Sequence, residues 1–159
     1  MIFVILGTQP NGFFRYLNEL ENLIEQNYIT EEVVAQIGDT KFETTKFKTI
    51  RFIGENENKK YINNASVVIT HASSGAIFNS IKAGKKVIGL ANLDDNNEII
   101  DNYQTELIKK LAECNYILDG TYSLFEVWSR LDGFMTKENV FVDTIVDVVD
   151  KYFSDVLNE

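Results

Sequence analysis

Short continuous apolar runs alternate along this chain with longer stretches in which apolar residues recur at helical spacing. The first run covers residues 2–6, and a continuous run is typical of a strand buried on both faces. Phe13, Leu17, Leu20 and Ile24 then recur at the spacing of one helix face. This alternation predicts β-α-β units around a parallel sheet.

The remaining elements follow from the same pattern. Further strands are predicted over residues 32–37, 48–53, 66–70, 86–90 and 116–118. Helices are predicted over residues 59–64 and 75–83, and after the polar loop 94–97, where Asp101 and Gln104 resemble a capping pair. Gly38 and Gly54 end two strands, Gly84 closes the helix 75–83, and Asn115 is expected in a left-handed turn.

The C-terminal tail, residues 138–157, has the pattern of an amphipathic helix. Its apolar positions share one face: Phe141, Ile145, Val148, Val149, Tyr152 and Val156. Two roles remain open for this face, covering the sheet, which we favour, or docking a partner.

These elements predict one α/β domain over residues 1–159, with a single doubly wound, mostly parallel Rossmann-like sheet and a C-terminal amphipathic helix. In such sheets ligands bind beyond the carboxyl ends of the strands. Here those ends carry small or polar residues, which suits a binding site.

Composition narrows the function. The net charge of −9 disfavours binding to nucleic acids or anionic lipid heads. No apolar run approaches the roughly 18 residues that span a bilayer, so we expect no direct membrane insertion. The first apolar run lacks a basic flank and ends at Gly7, so a buried strand is favoured over a signal sequence.

The segment with the most chemical information is the turn after the strand 66–70. It contains His71, Ala72, Ser73, Ser74, Gly75 and Ala76. Small side chains let a ligand approach the backbone, and the first-turn N–H groups favour an anion such as a diphosphate. The serine hydroxyls add donors. A tight β-α turn with serine as helix cap explains the same residues equally well.

Other chemistries are weakly represented. His71 is the only histidine, and a lone histidine is more often structural than catalytic, although its place at a strand end makes it a candidate. One histidine and one cysteine (Cys114) do not make a metal site. The dinucleotide and ATP fingerprints and the G-x-S-x-G elbow are missing.

Several short motifs nevertheless occur in an order that resembles a known family. They are Ile5-Leu6-Gly7-Thr8 ("VGT"), Ala35-Gln36-Ile37-Gly38 ("QxG"), Phe52-Ile53, and residues 70–76 ("SHAGxGS"), 83–88 ("LGKPLI") and 101–107 ("DNHQxEL"). This order resembles the C-terminal, donor-binding half of the GT-B glycosyltransferases of family 28. It is most similar to stand-alone versions of that half, such as the small subunit of the dolichol-linked N-acetylglucosamine transferase and PssE/EpsF-type subunits. The likeness covers residues 1–118, and residues 119–159 form a helical extension beyond it.

The resemblance implies an inverting transferase that acts on a UDP-sugar, with no bound metal and no cofactor besides that substrate. It implies that the loop 71–76 holds the donor diphosphate, that Ile53 borders the uracil, and that Gln104 with Asn102 faces the sugar or phosphates. The expected donor site therefore comprises Gly7, Thr8, Gln36, Gly38, Ile53, His71, Ser73, Ser74, Gly75, Ala76, Asn79, Asn102 and Gln104.

Three positions depart from the family pattern. Ser73 replaces the first loop glycine and Tyr103 replaces the histidine of "DNHQ". Asn79 stands where relatives often place a glutamate that contacts the ribose. An exposed helix residue is an equally good explanation of Asn79.

Transferases of this architecture use two such domains, and 159 residues fit one. The resemblance therefore implies a membrane-anchored partner that binds a lipid-linked saccharide acceptor and supplies the base. The chain is then expected in the cytoplasm, peripheral at the membrane through that partner, in capsule, exopolysaccharide or glycolipid assembly. The alternative is a non-catalytic enhancer of a partner transferase. A free-standing nucleotide-binding regulator ranks last.

Overall fold

The computed structural model describes residues 1–7, 13–92 and 102–136, apart from the side chain of Asn102. The predicted loop 94–97, Asp101 of the capping pair and the amphipathic tail 138–157 lie outside these ranges.

The described strands and helices alternate along the chain as the apolar pattern predicts, except that the strands over residues 33–36 and 48–50 follow each other without a helix between them. The strands are β1 (Ile2–Ile5), β2 (Val33–Gln36), β3 (Lys48–Ile50), β4 (Val67–His71), β5 (Lys86–Leu90) and β6 (Leu118–Asp119). The helices are α1 (Phe14–Glu25), α2 (Glu55–Asn64), α3 (Ser74–Lys82), α4 (Asn102–Glu113) and α5 (Leu124–Arg130).

The six described strands form one sheet in the order β3-β2-β1-β4-β5-β6, and every neighbouring pair is parallel. The chain winds outward from β1 to β3 and then returns to place β4 on the other side of β1. This order is that of a doubly wound Rossmann-like sheet, and its switch point lies between β1 and β4. The predicted fold class is therefore confirmed.

Both faces of the sheet are covered, which explains why the central strands read as continuous apolar runs. Successive residues of a strand point to opposite faces. Ile2 and Val4 accordingly pack in the cluster beneath α1 and α5, whereas Phe3 and Ile5 pack in a cluster with Ile62 of α2. Helices α1 and α5 thus lie on one face, and α2, α3 and α4 on the other.

Several predicted details agree with the structure and others differ. Gly84 (φ +69°) and Asn115 (φ +59°) take the predicted left-handed conformation. Strand β3 ends at Ile50, three residues before the predicted end, and α2 begins at Glu55, four residues before the predicted start. The polar sequence of α2 explains this difference, because only Ile62 of this helix is buried.

Helix α5 lies within residues 119–159, which were expected to be a helical extension, but its bounds were not predicted from the apolar pattern. Its N-cap Ser123 accepts a hydrogen bond from the backbone N–H of Glu126 (3.2 Å). Serine followed by glutamate three residues later is a capping signal, and Leu124 and Val127 bury the matching face. The Leu124 N–H also donates to Glu19 of α1 (2.6 Å), which ties α5 to the same face of the sheet.

Tyr16 of α1 links the ends of β5 and β6. Its buried hydroxyl lies 2.5 Å from the carbonyl oxygen of Ala91 and 2.9 Å from that of Thr121. The Ala91 N–H in turn donates to the Thr121 hydroxyl (3.2 Å). A buried carbonyl without a donor is costly, so this tyrosine stabilises the carboxyl edge of the sheet.

We expect Tyr16→Phe to lower the free energy of unfolding by about 1–3 kcal/mol, because the buried carbonyls of Ala91 and Thr121 lose the single hydroxyl proton that lies between them. Urea denaturation followed by circular dichroism measures the change. Tyr122→Phe is the matched control, since Tyr122 is 73% exposed and its substitution should change stability by less than about 0.5 kcal/mol. Equal effects of the two substitutions would show that the Tyr16 hydroxyl contributes nothing.

Candidate functional site

A cavity of about 490 Å³ lies at the carboxyl edge of the sheet, beside the switch point. The ends of β1, β2 and β4 and the first turns of α2, α3 and α4 enclose it. Its polar lining comprises Gln36, Asn58, His71, Ser73, Asn79, Tyr103 and Gln104. We call this cavity the cleft. A second cavity of about 470 Å³ lies at the opposite edge of the sheet, and none of the predicted site residues lines it.

The end of β1 lies directly against the imidazole of His71. Gly7 has φ +71°, and a Cβ atom built on it would lie 2.9 Å from His71 Nε2. On the other side of the ring, Nδ1 is 3.2 Å from the carbonyl oxygen of Ile5. The Phe13 ring packs edge-on at 5.7 Å between centroids. Only glycine combines this left-handed backbone with so close an approach.

Burial lowers the pKa of His71 below its ordinary value of 6.5, and the hydrogen bond to Ile5 opposes this only in part. The imidazole is therefore neutral at pH 7. Because a carbonyl oxygen only accepts hydrogen bonds, Nδ1 carries the proton and Nε2 has the free lone pair. Such a nitrogen accepts a hydrogen bond or a proton from a hydroxyl group, and it does not neutralise a phosphate.

Helix α3 begins in the floor of the cleft. The Ser73 N–H donates to the His71 carbonyl (2.6 Å), and the Ser73 carbonyl accepts from Ile77 (3.0 Å). Ser73 occupies the N-cap position, but its side chain makes no capping hydrogen bond. The next N–H groups, of Ser74, Gly75 and Ala76, have no partner within the helix by its geometry. They are placed to meet an anion in the cleft.

Carboxamides dominate the rest of the lining. Gln36, Asn58, Asn79 and Gln104 come from four different elements. The Asn58 Oδ1 and Gln104 Oε1 atoms are buried and have no hydrogen-bond partner. Thr40 Oγ1 and Asn92 Oδ1, which lie outside the lining, are buried and unpaired in the same way. The described residues that line the cleft include no aspartate, glutamate, lysine or arginine.

The cleft brings together most of the site predicted from sequence. Eight of the predicted residues line it: Gly7, Gln36, His71, Ser73, Gly75, Ala76, Asn79 and Gln104. Three others lie outside the lining. Gly38 (φ +57°) follows β2, Ser74 opens α3, and Ile53 packs in a hydrophobic cluster with Ala76. Thr8 and the side chain of Asn102 are not among the described parts of the chain.

Six residues that line the cleft were not among the predicted site residues: Ile5, Leu6, Phe13, Asn58, Ala72 and Tyr103. Phe13 was assigned only to the helix face, and Tyr103 only to a departure from the family pattern. Asn58 was missed because the predicted helix began at Lys59, one residue later. A helix that began at Glu55 would have placed Asn58 in its first turns, near the end of β3.

Among the described residues, no group of three or more histidine, cysteine, aspartate or glutamate side chains is arranged to hold a metal ion. Within those same ranges, no helix has the length and apolar character needed to cross a membrane.

Comparison with protein families gives a match to the glycosyltransferase family 28 C-terminal domain over residues 1–138. This match extends beyond residue 118 and includes α5. Among curated proteins, the UDP-N-acetylglucosamine transferase subunit ALG13 of Candida albicans is 27% identical over 86 residues, which cover 54% of this chain. The matched segment spans only 27% of the length of that relative.

Solved structures show the same fold. The NMR solution structure of ALG13 superposes with a TM-score of 0.56 at 18% identity, covering 87% of this chain and 89% of that one. The glycosyltransferase SnogD from Streptomyces nogalater gives a TM-score of 0.52 at 12% identity, covering 81% of this chain and 34% of that enzyme. The glycotransferase of kitacinnamycin gives 0.52 at 13% identity, with 84% and 38% covered.

The contact between Gly7 and His71 predicts that Gly7→Ala lowers the free energy of unfolding by more than the strain of an alanine in the left-handed conformation. Gly84 provides the matched control, because it has φ +69° and no atom within 4 Å of an added Cβ. Both substitutions carry the left-handed strain of about 1–2 kcal/mol. We expect Gly7→Ala to lose about 1–3 kcal/mol more in urea denaturation, from overpacking against the imidazole, and to shift the imidazole resonances. Equal losses would show that the ring moves away freely.

The lowered pKa of His71 predicts a specific pH dependence of stability. The unfolded chain takes up this proton near pH 6.5, and the folded chain takes it up at a lower pH. Between the two pKa values the unfolded state binds more protons, so the free energy of unfolding falls as pH is lowered through this window. Imidazole NMR titration follows this single histidine directly, and urea denaturation from pH 7.5 to 5 follows stability. His71→Gln should flatten the stability curve in this window, and a folded-state pKa at or above 6.5 would contradict the prediction.

Proposed function

Because this chain belongs to the glycosyltransferase family 28 C-terminal domains, we propose that it is the donor-binding subunit of a two-component inverting glycosyltransferase. It transfers a sugar from a UDP-sugar to a lipid-linked saccharide, in polysaccharide or glycolipid assembly. The observation that carries this proposal is the cleft at the start of α3, where eight of the expected donor-site residues meet.

The chemistry of the cleft suits a nucleotide-sugar. The first turn of α3 offers backbone N–H groups and the positive end of the helix dipole to a diphosphate. Gly75 and Ala76 have side chains small enough for the phosphates to approach the backbone. The carboxamides around them both donate and accept hydrogen bonds, which matches the hydroxyl groups of a sugar and the edge of a nucleobase.

A separate subunit supplies the acceptor half in this proposal. The described domain superposes on 34% and 38% of the chains of two solved glycosyltransferases. The Candida relative is itself named a transferase subunit. We propose that the partner is membrane-anchored and that this chain is peripheral at the cytoplasmic face through it.

An inverting transfer needs a base that deprotonates the acceptor hydroxyl. We assign that base to the partner. The alternative base, within this chain, is His71, because its neutral imidazole presents Nε2 as an acceptor beside the cleft. The hydrogen bond to Ile5 fixes the orientation of the imidazole ring. When the partner supplies the base, the role of His71 in this proposal is to position the donor.

A non-catalytic enhancer is the second candidate function. Asn79 supports it, because this exposed and uncharged residue stands in the lining where relatives often place a glutamate. The two functions differ in whether the side chains of the cleft are needed for transfer.

We expect saturable binding of UDP and of one UDP-sugar in calorimetric titrations with UDP-glucose, UDP-galactose and UDP-N-acetylglucosamine. Gln104→Ala removes one hydrogen-bonding group from the cleft and should weaken the binding of that UDP-sugar about three- to tenfold. Gln26→Ala is the matched control, since Gln26 is exposed at the end of α1. Binding that Gln104→Ala leaves unchanged would contradict the assigned site.

Transfer assays with the reconstituted complex separate the two functions. If the chain is catalytic, His71→Ala and Gln104→Ala lower the transfer rate at least tenfold while co-purification with the partner is unchanged. If both variants match the wild type in transfer, the chain is an enhancer.

A further inference from the structure

Charged residues are distributed unevenly along this chain. Residues 58–92 contain five lysines and no aspartate or glutamate, whereas the whole sequence has 24 acidic residues. Four of these lysines lie on or beside α2 and α3, which pack against each other on one face of the sheet. We call the outer surface of these two helices, with Lys59, Lys60, Lys82 and Lys85, the basic face.

A groove of about 280 Å³ separates the two helices on the basic face. Lys59 lines it from α2 and Lys82 lines it from α3. Lys85 Nζ donates to the carbonyl oxygen of Asn63 (2.7 Å), which holds a third ammonium group near the end of α2. Asn79 lines both this groove and the cleft, so the basic face adjoins the cleft.

Acidic side chains compensate the charge of the basic face only in part. Glu55 and Glu57 lie in the first turn of α2, and Glu55 forms an ion pair with Lys59 (2.7 Å). Neither Lys60 nor Lys82 forms an ion pair with any of the described residues, and both are exposed. The basic face thus has an excess of positive charge in a chain whose net charge is −9.

The acidic residues of α1 lie on the opposite face of the sheet, too far away to cancel this charge. A helix is about 10 Å across, so a helix layer on each side of the sheet separates the two outer surfaces by more than about 20 Å. At physiological ionic strength, charges are screened over about 8 Å. The net charge of the chain therefore does not decide what the basic face binds.

The side chains of the basic face suit an anionic lipid surface better than a protein. The cores of protein interfaces are rich in aromatic residues and methionine and poor in lysine. None of the large apolar side chains that the structure shows exposed belongs to α2 or α3. A lysine close to an anionic bilayer is attracted to its headgroups, and each such lysine strengthens binding roughly fivefold.

We propose that the basic face contacts the anionic headgroups of a membrane directly, without insertion into it. The ammonium groups of Lys60 and Lys82 pair with lipid phosphates, and the groove between the helices accommodates a headgroup. Because the basic face adjoins the cleft through Asn79, this contact turns the cleft towards lipid-linked molecules. That consequence depends on the proposed function, whereas the membrane contact itself does not.

Co-sedimentation of the chain with lipid vesicles tests this contact. Vesicles of equal parts phosphatidylglycerol and phosphatidylcholine are compared with vesicles of phosphatidylcholine alone. The salt concentration is about 0.1 M, where charges are screened over about 10 Å, or about 1 M, where they are screened over about 3 Å.

The test variant carries Lys60→Glu and Lys82→Glu. Its matched control carries Lys41→Glu and Lys46→Glu, which change the net charge by the same amount on the other face. Lys41 and Lys46 are exposed, and the adjacent Phe47 packs in the cluster beneath α1 and α5. Urea denaturation verifies that both variants are folded.

We expect the wild type and the control variant to bind the phosphatidylglycerol vesicles at the lower salt concentration and to be released at the higher one. Lys60→Glu with Lys82→Glu should weaken this binding about tenfold or more. Lys60→Gln with Lys82→Gln removes the two charges with little change of size and should weaken binding less. Vesicles of phosphatidylcholine alone should bind none of these proteins.

Three outcomes would overturn the proposal. If the wild type does not prefer the phosphatidylglycerol vesicles, the basic face does not recognise anionic headgroups. If the test and control variants lose binding equally, the total charge of the chain matters and the basic face does not. If the wild type ignores both vesicles and the substitutions on the basic face prevent co-purification with the partner, this face docks an acidic protein instead. The assay contains no nucleotide, so a failure to bind UDP would contradict the proposed function and leave this test unaffected.

Discussion

The cleft depends on the close approach of two backbone segments at the switch point of the sheet. Gly7 ends β1 in a left-handed conformation, and the imidazole of His71 fills the space that a side chain would occupy. The bond from His71 to Ile5 then holds the ends of β1 and β4 together. Since α3 begins three residues after His71, this one contact also sets where the helix N-terminus points.

The fold was largely predictable because the strands are buried on both faces. The strand predicted over residues 86–90, of which residues 87–90 are an apolar run, forms β5 with the same bounds. The errors fall where apolar periodicity is weak. Helix α2 has ten residues and buries one of them, and α5 is only seven residues long. A cap such as Ser123 with Glu126 identifies so short a helix better than its hydrophobic pattern does.

The site was predictable at strand ends and less so on helices. The carboxyl ends of parallel strands meet at one edge, so Gly7, Gln36 and His71 could be assigned before their contacts were known. Which side of a helix faces the cleft depends on how the helix is rotated against the sheet. That rotation is set by tertiary packing, which is why Asn58 and Tyr103 lacked a clear signal. Ile53 shows the converse, since it packs in a hydrophobic cluster instead of lining the cleft.

The lining of the cleft also shows that the net charge of −9 says little about the ligand. A helix N-terminus attracts an anion locally, whatever the total charge of the chain. Around it, amides and a neutral imidazole discriminate by hydrogen-bond geometry. A site built to hydrogen-bond a group rejects analogues that lack it far more strongly than an apolar pocket rejects a change of size.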